Sequence, residues 1–203
     1  AIAGGGLLLS AYARPLHAAL RGTESPLADD PFMPNAFIKL FPDGNIVVNM
    51  PRFINETVIN MPKYRNKLAE KLTPAELSEY RSVLGSLQWM VSSCRPDLAA
   101  DTSLIQRSQP SMQDLVDALK VMAYAKSTAD DGFIIRPIPL AEICFVAYSD
   151  ASWGNAPDGK SQAGPLVCIT SNRCLESLQP ASVVEWKSHR IKRVTRSTLA
   201  SEA

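Results

Sequence analysis

The sequence has few of the residues that make metal centres and disulfide frameworks: its 203 residues include four cysteines and two histidines. The cysteines, at positions 94, 144, 168 and 174, form no Cys-x-x-Cys pair, whereas a structural zinc site needs four closely arranged ligands. Cys144 and Cys168 lie within apolar runs, where a cysteine is typical of a hydrophobic core. We therefore expect reduced cysteines in an intracellular protein, without a zinc site.

Long apolar runs are also missing. No stretch approaches the roughly 18 apolar residues of a membrane-spanning helix, so we expect no membrane partner. The opening segment 1–13 contains Gly-Gly-Gly without the further glycines of a phosphate-binding loop, and it lacks the basic start of a signal peptide. Residues 1–36 show no sustained period, and we leave them unassigned and expect them to be weakly ordered.

Neither sign of charge is in excess, because the chain has 21 Lys and Arg residues and 20 Asp and Glu residues. A nearly neutral chain carries no overall basic field, so a nucleic-acid-binding role depends on a local patch. One such patch lies at 187–196, where five basic residues occur without an acidic one. It suits phosphate contacts, and it equally suits a strand edge protected by positive charge. The basic residues are Lys187, Arg190, Lys192, Arg193 and Arg196, with His189 among them.

The pattern of residues 37–130 predicts a hairpin followed by a small helical unit. Two β-rich runs around Pro42-Asp43-Gly44 are typical of a β-hairpin, and we assign 37–72 to this hairpin region. Thr73-Pro74-Ala75-Glu76 forms a capping box with proline at the first helical position, so a helix begins there. It ends at Arg95-Pro96, because the residue before a proline avoids the helical conformation. Further helices predicted over 97–105 and after residue 111 make 73–130 a helical subdomain.

Residues 131–203 have a different residue pattern, with β-rich runs separated by a loop rich in glycine, asparagine and proline. Strands are predicted at 133–135, 143–148, 166–170 and 183–186. A helix begins at Ser197 or Thr198, both of which are good N-cap residues. The predicted fold class is therefore α+β or mixed: a β-hairpin and a helical subdomain, followed by an α/β unit that is incomplete where the sequence stops.

Two carboxylates in this last region are the candidate chemical groups. Asp150 ends an apolar strand, where it either caps a turn or serves as a metal ligand on a rigid strand. Glu202 lies in the first turn of the predicted terminal helix, a position that the helix dipole favours for any glutamate. The two groups converge only if that helix packs beside the first strand, which their spacing does not determine.

Segments that follow one another in the same order along the chain resemble the Pol polyprotein of copia-type LTR retrotransposons. YSDASWGNAPDGKSQAG (148–164) is similar to the motif that opens the family's ribonuclease H domain. VVEWKSHRIKRVTRSTLASEA (183–203) is similar to the segment that carries its catalytic glutamate. Upstream, LTPAELSEYRSVLGSLQWMVSSCRPDLAADTSLIQ (72–106) resembles the stretch after the polymerase palm, and residues 37–54 resemble the hairpin before it.

The resemblance implies a fragment that runs from the end of a reverse transcriptase palm (37–72), through a thumb- or connection-like subdomain (73–130), into the N-terminal part of a ribonuclease H-like domain (131–203), with three strands and then a helix. Asp150 and Glu202 would be catalytic, as two of the four ligands of a pair of Mg²⁺ ions that hydrolyse the RNA strand of an RNA–DNA hybrid. Trp186 would be a core residue. The implied partners are the hybrid or another nucleic acid and the rest of the polyprotein, in a cytoplasmic particle or in the nucleus.

Departures from the family pattern limit this expectation. Leu199 and Ala200 replace a Thr-Glu pair of the family, and no Tyr-x-Asp-Asp polymerase motif occurs. The other acidic ligands of the family lie beyond the position at which this sequence stops, so we expect residues 1–203 alone to leave a hybrid uncut. A non-catalytic nucleic-acid-binding module and an inactive mobile-element remnant are the alternatives.

Overall fold

A hairpin begins the part of the chain that the structure describes. The structure is a computed structural model that describes residues 37–60, 68–152, 154, 159 and 161–191. Strands β1 (Phe37–Leu40) and β2 (Ile46–Asn49) pair antiparallel, which confirms the predicted hairpin. Gly44 has a φ of 83° in the turn, a conformation that glycine adopts without steric cost. The Asp43 carboxylate accepts a hydrogen bond from the Asn45 backbone N–H at 3.0 Å.

Strand β3 (Gly132–Ile135) pairs with the other side of β2, so the first sheet has the order β1-β2-β3. Gly132 permits this pairing, because a Cβ at that position would lie 2.0 Å from the Val48 carbonyl oxygen. The sequence pattern placed this run beside the strands downstream. The structure pairs its backbone with the hairpin strand β2 far upstream, while the Phe133 side chain contacts Trp186 of the downstream region.

A short helix, α1 (Pro51–Glu56), follows the hairpin at a place where no helix was predicted. Pro51 occupies the first helical turn, where the missing N–H costs no intrahelical hydrogen bond. Ile54 is fully buried on the inner side of this helix. The proline therefore starts a helix that connects the hairpin to the core.

The helices predicted between residues 73 and 130 are confirmed. Helix α2 (Pro74–Ser93) begins with the expected capping box, in which the Thr73 backbone N–H donates to Glu76 Oε2 at 2.7 Å. A 3₁₀ turn (Pro96–Leu98) leads into α3 (Ala99–Ile105). Helix α4 (Met112–Ser127) follows, and its Asp114 carboxylate accepts from the Ser111 N–H at 2.8 Å. These local bonds satisfy donors that a helix leaves free at its N-terminus.

The main core lies between the first sheet and the helices. Its members are apolar side chains with little or no exposed surface, among them Val48, Ile54, Leu87, Met90, Leu115 and Met122. Among the described residues, one charged residue is as deeply buried as these. Arg95 is 0% exposed, and it forms an ion pair with Asp97 at 2.7 Å and donates to the Thr128 carbonyl oxygen at 3.0 Å. Arg95 thereby ties the end of α2 to the end of α4.

The second sheet is built from β4 (Ile143–Ser152), β5 (Gln162–Ser171) and β6 (Ala181–Trp186), paired antiparallel in that order. A two-residue strand, β7 (His189–Arg190), also pairs with β5. The strands predicted at 143–148, 166–170 and 183–186 are thus confirmed, and β4 and β5 extend beyond the predicted limits. The described chain is a mixed α/β structure with two antiparallel sheets.

The second sheet packs on the helices through the β5–β6 side. Trp186 is half-buried there, with its ring edge-on to Phe133 at 5.5 Å between centroids and its Nε1–H donating to the Val91 carbonyl at 2.7 Å. Gln162 Nε2 donates to Ser103 Oγ at 2.7 Å on α3. Within the described ranges, no helix combines the length and the apolar character that crossing a membrane requires.

Candidate functional site

Asp150 lies near the end of β4 with its side chain exposed. Its cross-strand partner is Gly164 on β5. A Cβ built at Gly164 would meet no atom closer than 4.0 Å, so no side chain occupies the position beside the carboxylate on that strand. The pairing of β4 with β5 holds the Asp150 backbone in place, whereas the Asp150 carboxylate is accessible to a ligand.

The described basic residues run along the side of β5 that faces away from β4, at the same end of the strand as Gly164. The Lys187 N–H donates to the Pro165 carbonyl at 3.0 Å, and β7 pairs with Gln162 and Ala163. Lys187 therefore lies opposite Pro165, and the partner of Pro165 on β4 is Ser149, so Lys187 is one register position away from Asp150. Because successive positions along a strand point to opposite faces, Asp150 and Lys187 lie at the same end of the sheet but on opposite faces. The acidic group and the described basic residues thus share one end of the sheet.

The described basic residues do not have the same role. Lys187 and His189 are exposed, and Lys187 forms an ion pair with Glu185 at 3.2 Å. Arg190 is half-buried and donates to the Gln106 carbonyl, which joins β7 to the end of α3. Lys187 and His189 are therefore open to an approaching ligand, while Arg190 is a structural contact between the sheet and the helices. Lys192, Arg193 and Arg196 lie outside the described residues.

A metal site would need more ligands than Asp150 supplies. Glu202, with the helix predicted to begin at Ser197 or Thr198, lies outside the described residues. Among the residues that are described, no group of three or more His, Cys, Asp or Glu side chains is placed to hold a metal ion. Asp150 fits the role of one oxygen ligand to Mg²⁺, which prefers carboxylates and water, and no reaction step through a metal follows from these residues.

A polar joint between the helices and the second sheet was not expected from the sequence. Gln162 is only 7% exposed, and its Nε2 also donates to Ser188 Oγ at 2.7 Å. Gln162 also contacts Ser103 on α3. Two residues further along α3, the Ile105 carbonyl accepts a hydrogen bond from the Tyr80 hydroxyl at 2.5 Å. Burial raises the pKa of Tyr80, and the Arg107 backbone N–H opposes that rise in pKa by donating to the same oxygen. No short-range motif marks these residues, because each gains its partner only through the tertiary fold.

Comparisons of the chain with protein-family models, with curated proteins and with solved structures give no match. The site therefore has to be interpreted from its own residues and from the sequence motifs described above.

Proposed function

We propose that this chain is part of a retrotransposon Pol polyprotein of the copia type, and that its second sheet belongs to a ribonuclease H-like domain. The parent activity would be hydrolysis of the RNA strand of an RNA–DNA hybrid. The observation that carries this proposal is the exposed Asp150 on a ten-residue strand, opposite a glycine and beside a basic segment. The motif YSDASWGNAPDGKSQAG supports the same assignment.

The proposal gives each candidate residue a role. Asp150 and Glu202 would each supply a carboxylate oxygen to Mg²⁺. When bound, the ions would supply an activated water and stabilisation of the leaving oxygen of the phosphodiester. Lys187 lies at the same end of the sheet, one register position from Asp150 and on the opposite face, where its ammonium group would attract phosphates of the nucleic-acid backbone. Gly164 leaves space beside the carboxylate for that backbone.

The proposal is tested by paramagnetic broadening of backbone amide resonances on addition of Mn²⁺, which occupies oxygen-ligand sites of the Mg²⁺ type. We expect broadening at 148–152 and also around Glu202, because both carboxylates bind the same ions. Asp150→Asn should abolish the broadening in both places. Glu185→Gln, a carboxylate change on the same sheet, is the matched control and should preserve it. Broadening that is absent at Asp150, or that persists in Asp150→Asn, would contradict the proposal.

A non-catalytic nucleic-acid-binding module is the second candidate, and the exposure of Lys187 and His189 favours it. Binding by these groups should weaken steeply as salt rises, because counterions are released from the phosphates. Lys187→Glu should weaken binding strongly, whereas Asp150→Asn should leave it unchanged. Arg190 is a poorer choice for charge reversal, since the substitution would also break its contact with the Gln106 carbonyl.

A further inference from the structure

Two of the four cysteines, Cys144 and Cys174, come together at the end of the second sheet that is remote from Asp150. Cys144 is the second residue of β4, and Cys174 lies in the 3₁₀ turn Asn172–Leu175 that directly follows β5. The register pairs Cys144 with Thr170 and Ile143 with Ser171. The chain therefore leaves β5 level with the start of β4, and the turn lies alongside it.

Side-chain contacts hold this turn against β4. Glu142, the residue before β4, accepts hydrogen bonds from Ser171 Oγ at 3.1 Å and from Arg173 Nη2 at 3.4 Å. Cys174 lies three residues after Ser171, which pairs with Ile143 next to Cys144, so the Cys144 thiol is a neighbour of the Cys174 thiol. Burial and this neighbouring thiol both raise the pKa of Cys174. Both cysteines are free thiols and half-buried, so each has some access to solvent.

The other two cysteines have different surroundings. Cys94 is fully buried in the main core, and burial raises its pKa to about 12. Cys168 is 4% exposed, and burial raises its pKa as well. Burial denies a disulfide reagent access to the Cys94 and Cys168 thiols, whereas Cys144 and Cys174 are only half-buried. Cys94 and Cys168 therefore serve as internal controls for the half-buried pair.

We propose that Cys144 and Cys174 form a reversible intramolecular disulfide, which makes this end of the sheet a site of oxidative modification. A glutathione-type disulfide is the oxidant. One protein thiol loses its proton and attacks that disulfide, which releases one glutathione thiol and leaves a mixed disulfide. The second protein thiol then loses its proton and attacks the mixed disulfide, which releases the second glutathione. The cross-link joins β4 to the β5–β6 connection, and a reducing compartment reverses it.

The experiment is incubation of the folded chain with oxidised glutathione, followed by alkylation of free thiols and peptide mass spectrometry. We expect a peptide that contains Cys144 joined to one that contains Cys174, while Cys94 and Cys168 are alkylated after denaturation. Oxidation should also raise the Tm by roughly 5 °C or more, because the bond restricts the unfolded chain. Cys144→Ser and Cys174→Ser should each lose the link and the shift in Tm, whereas Cys168→Ala should retain both.

Three results would overturn the proposal: a chain that stays fully reduced, a chain that carries glutathione on either thiol without a cross-link, and a link that involves Cys94 or Cys168. Reading both the link and the Tm in each variant keeps a folding defect distinct from a missing bond. An unfolded variant loses its cooperative transition before any oxidant is added.

Discussion

The two sheets of this chain differ in how much apolar surface they bury. The first sheet and the helices share one core, and among the described residues the buried apolar side chains outside that core are Ala151 and Cys168 of the second sheet. The second sheet instead leaves Phe145 68% exposed and Tyr148 60% exposed. Its attachment depends on a few contacts, such as the indole of Trp186 and the amide of Gln162.

Because of this difference, the residues that stabilise the fold and the candidate site residues lie in different parts of the chain. Buried apolar area supplies most of the free energy of folding, so the hairpin and helices should determine the overall stability of the chain. Asp150 and Lys187 lie on the sheet that contributes least to the core. Functional groups are often found on such weakly packed regions, because ligand binding requires exposed groups that a core cannot use.

The largest effect should come from truncating a core residue of the first region. Leu87 is fully buried, and Leu87→Ala should lower the free energy of unfolding by about 2–5 kcal/mol through lost burial and a residual cavity. Phe145→Ala on the second sheet should change it by no more than about 0.5 kcal/mol, since this ring is exposed. Urea unfolding of the two variants measures the contrast. Equal losses would mean that a further part of the chain covers Phe145.

Arg95→Ala should have the next largest effect, a loss of about 3 kcal/mol, because buried carbonyls lose their donor and the Asp97 carboxylate loses its partner. The Thr128 carbonyl is among the groups left without this donor. Arg52→Ala is the matched control: Arg52 pairs with Glu56 at 2.9 Å on the surface of α1 and should contribute less than about 0.5 kcal/mol. A wild-type free energy of unfolding in Arg95→Ala would show that Arg95 is dispensable to the core.

Alkaline pH should also destabilise the first region. The Cys94 thiol has its pKa raised from 9.0 to about 12 by burial. Unfolding lets this thiol ionise near pH 9, whereas the folded chain keeps its proton until about pH 12. The folded state therefore binds more protons within this window, so the contribution of Cys94 is intact below pH 9 and is lost as pH rises towards 12.

Measuring the free energy of unfolding against pH for the wild type and for Cys94→Ala checks this expectation. The fall in stability above pH 9 should be shallower in Cys94→Ala, by up to a few kcal/mol at the alkaline end. Val91→Ala, a truncation of a buried side chain on the helix that Cys94 caps, removes no thiol and is the control. Parallel curves for the wild type and Cys94→Ala would exclude Cys94 as the source of the dependence.

The smallest effect concerns the contacts of Trp186, through which the second sheet packs on the helices and on β3. Trp186→Phe keeps an aromatic ring against Phe133 but removes the hydrogen bond to the Val91 carbonyl, at a cost of about 1 kcal/mol. Hydrogen exchange should become faster in β5 and β6, while β2 amides keep their wild-type protection. Faster exchange in both sheets would mean that the two regions unfold as one unit.

Local signals in the sequence predicted local structure well. The Thr73–Glu76 box, the Asp43-Gly44 turn and the apolar runs of β4, β5 and β6 each mark an element through residues close together in the chain. The pairing of β3 with β2 had no such signal. Its decisive feature is the close approach of Gly132 to Val48, which depends on the tertiary fold.

The candidate site was predicted in part, for the same reason. A carboxylate at the end of an apolar strand can be recognised from the sequence, and Asp150 lies at such a position. The glycine opposite Asp150 and the course of Lys187 along the far edge of β5 depend on strand register, which the sequence pattern did not specify. The structural contact of Arg190 with the Gln106 carbonyl was equally hidden, because these residues are far apart in the chain.

The central claim is that Asp150 acts with Mg²⁺ on an RNA–DNA hybrid. The most direct measurement is the affinity of the chain for a hybrid duplex at constant ionic strength, with Mg²⁺ and with a chelator, for the wild type, Asp150→Asn and Glu185→Gln. We predict that Mg²⁺ tightens binding of the wild type and of Glu185→Gln, and that Asp150→Asn loses this gain. Affinity that is independent of Mg²⁺ in the wild type, or a gain that persists in Asp150→Asn, would contradict the claim.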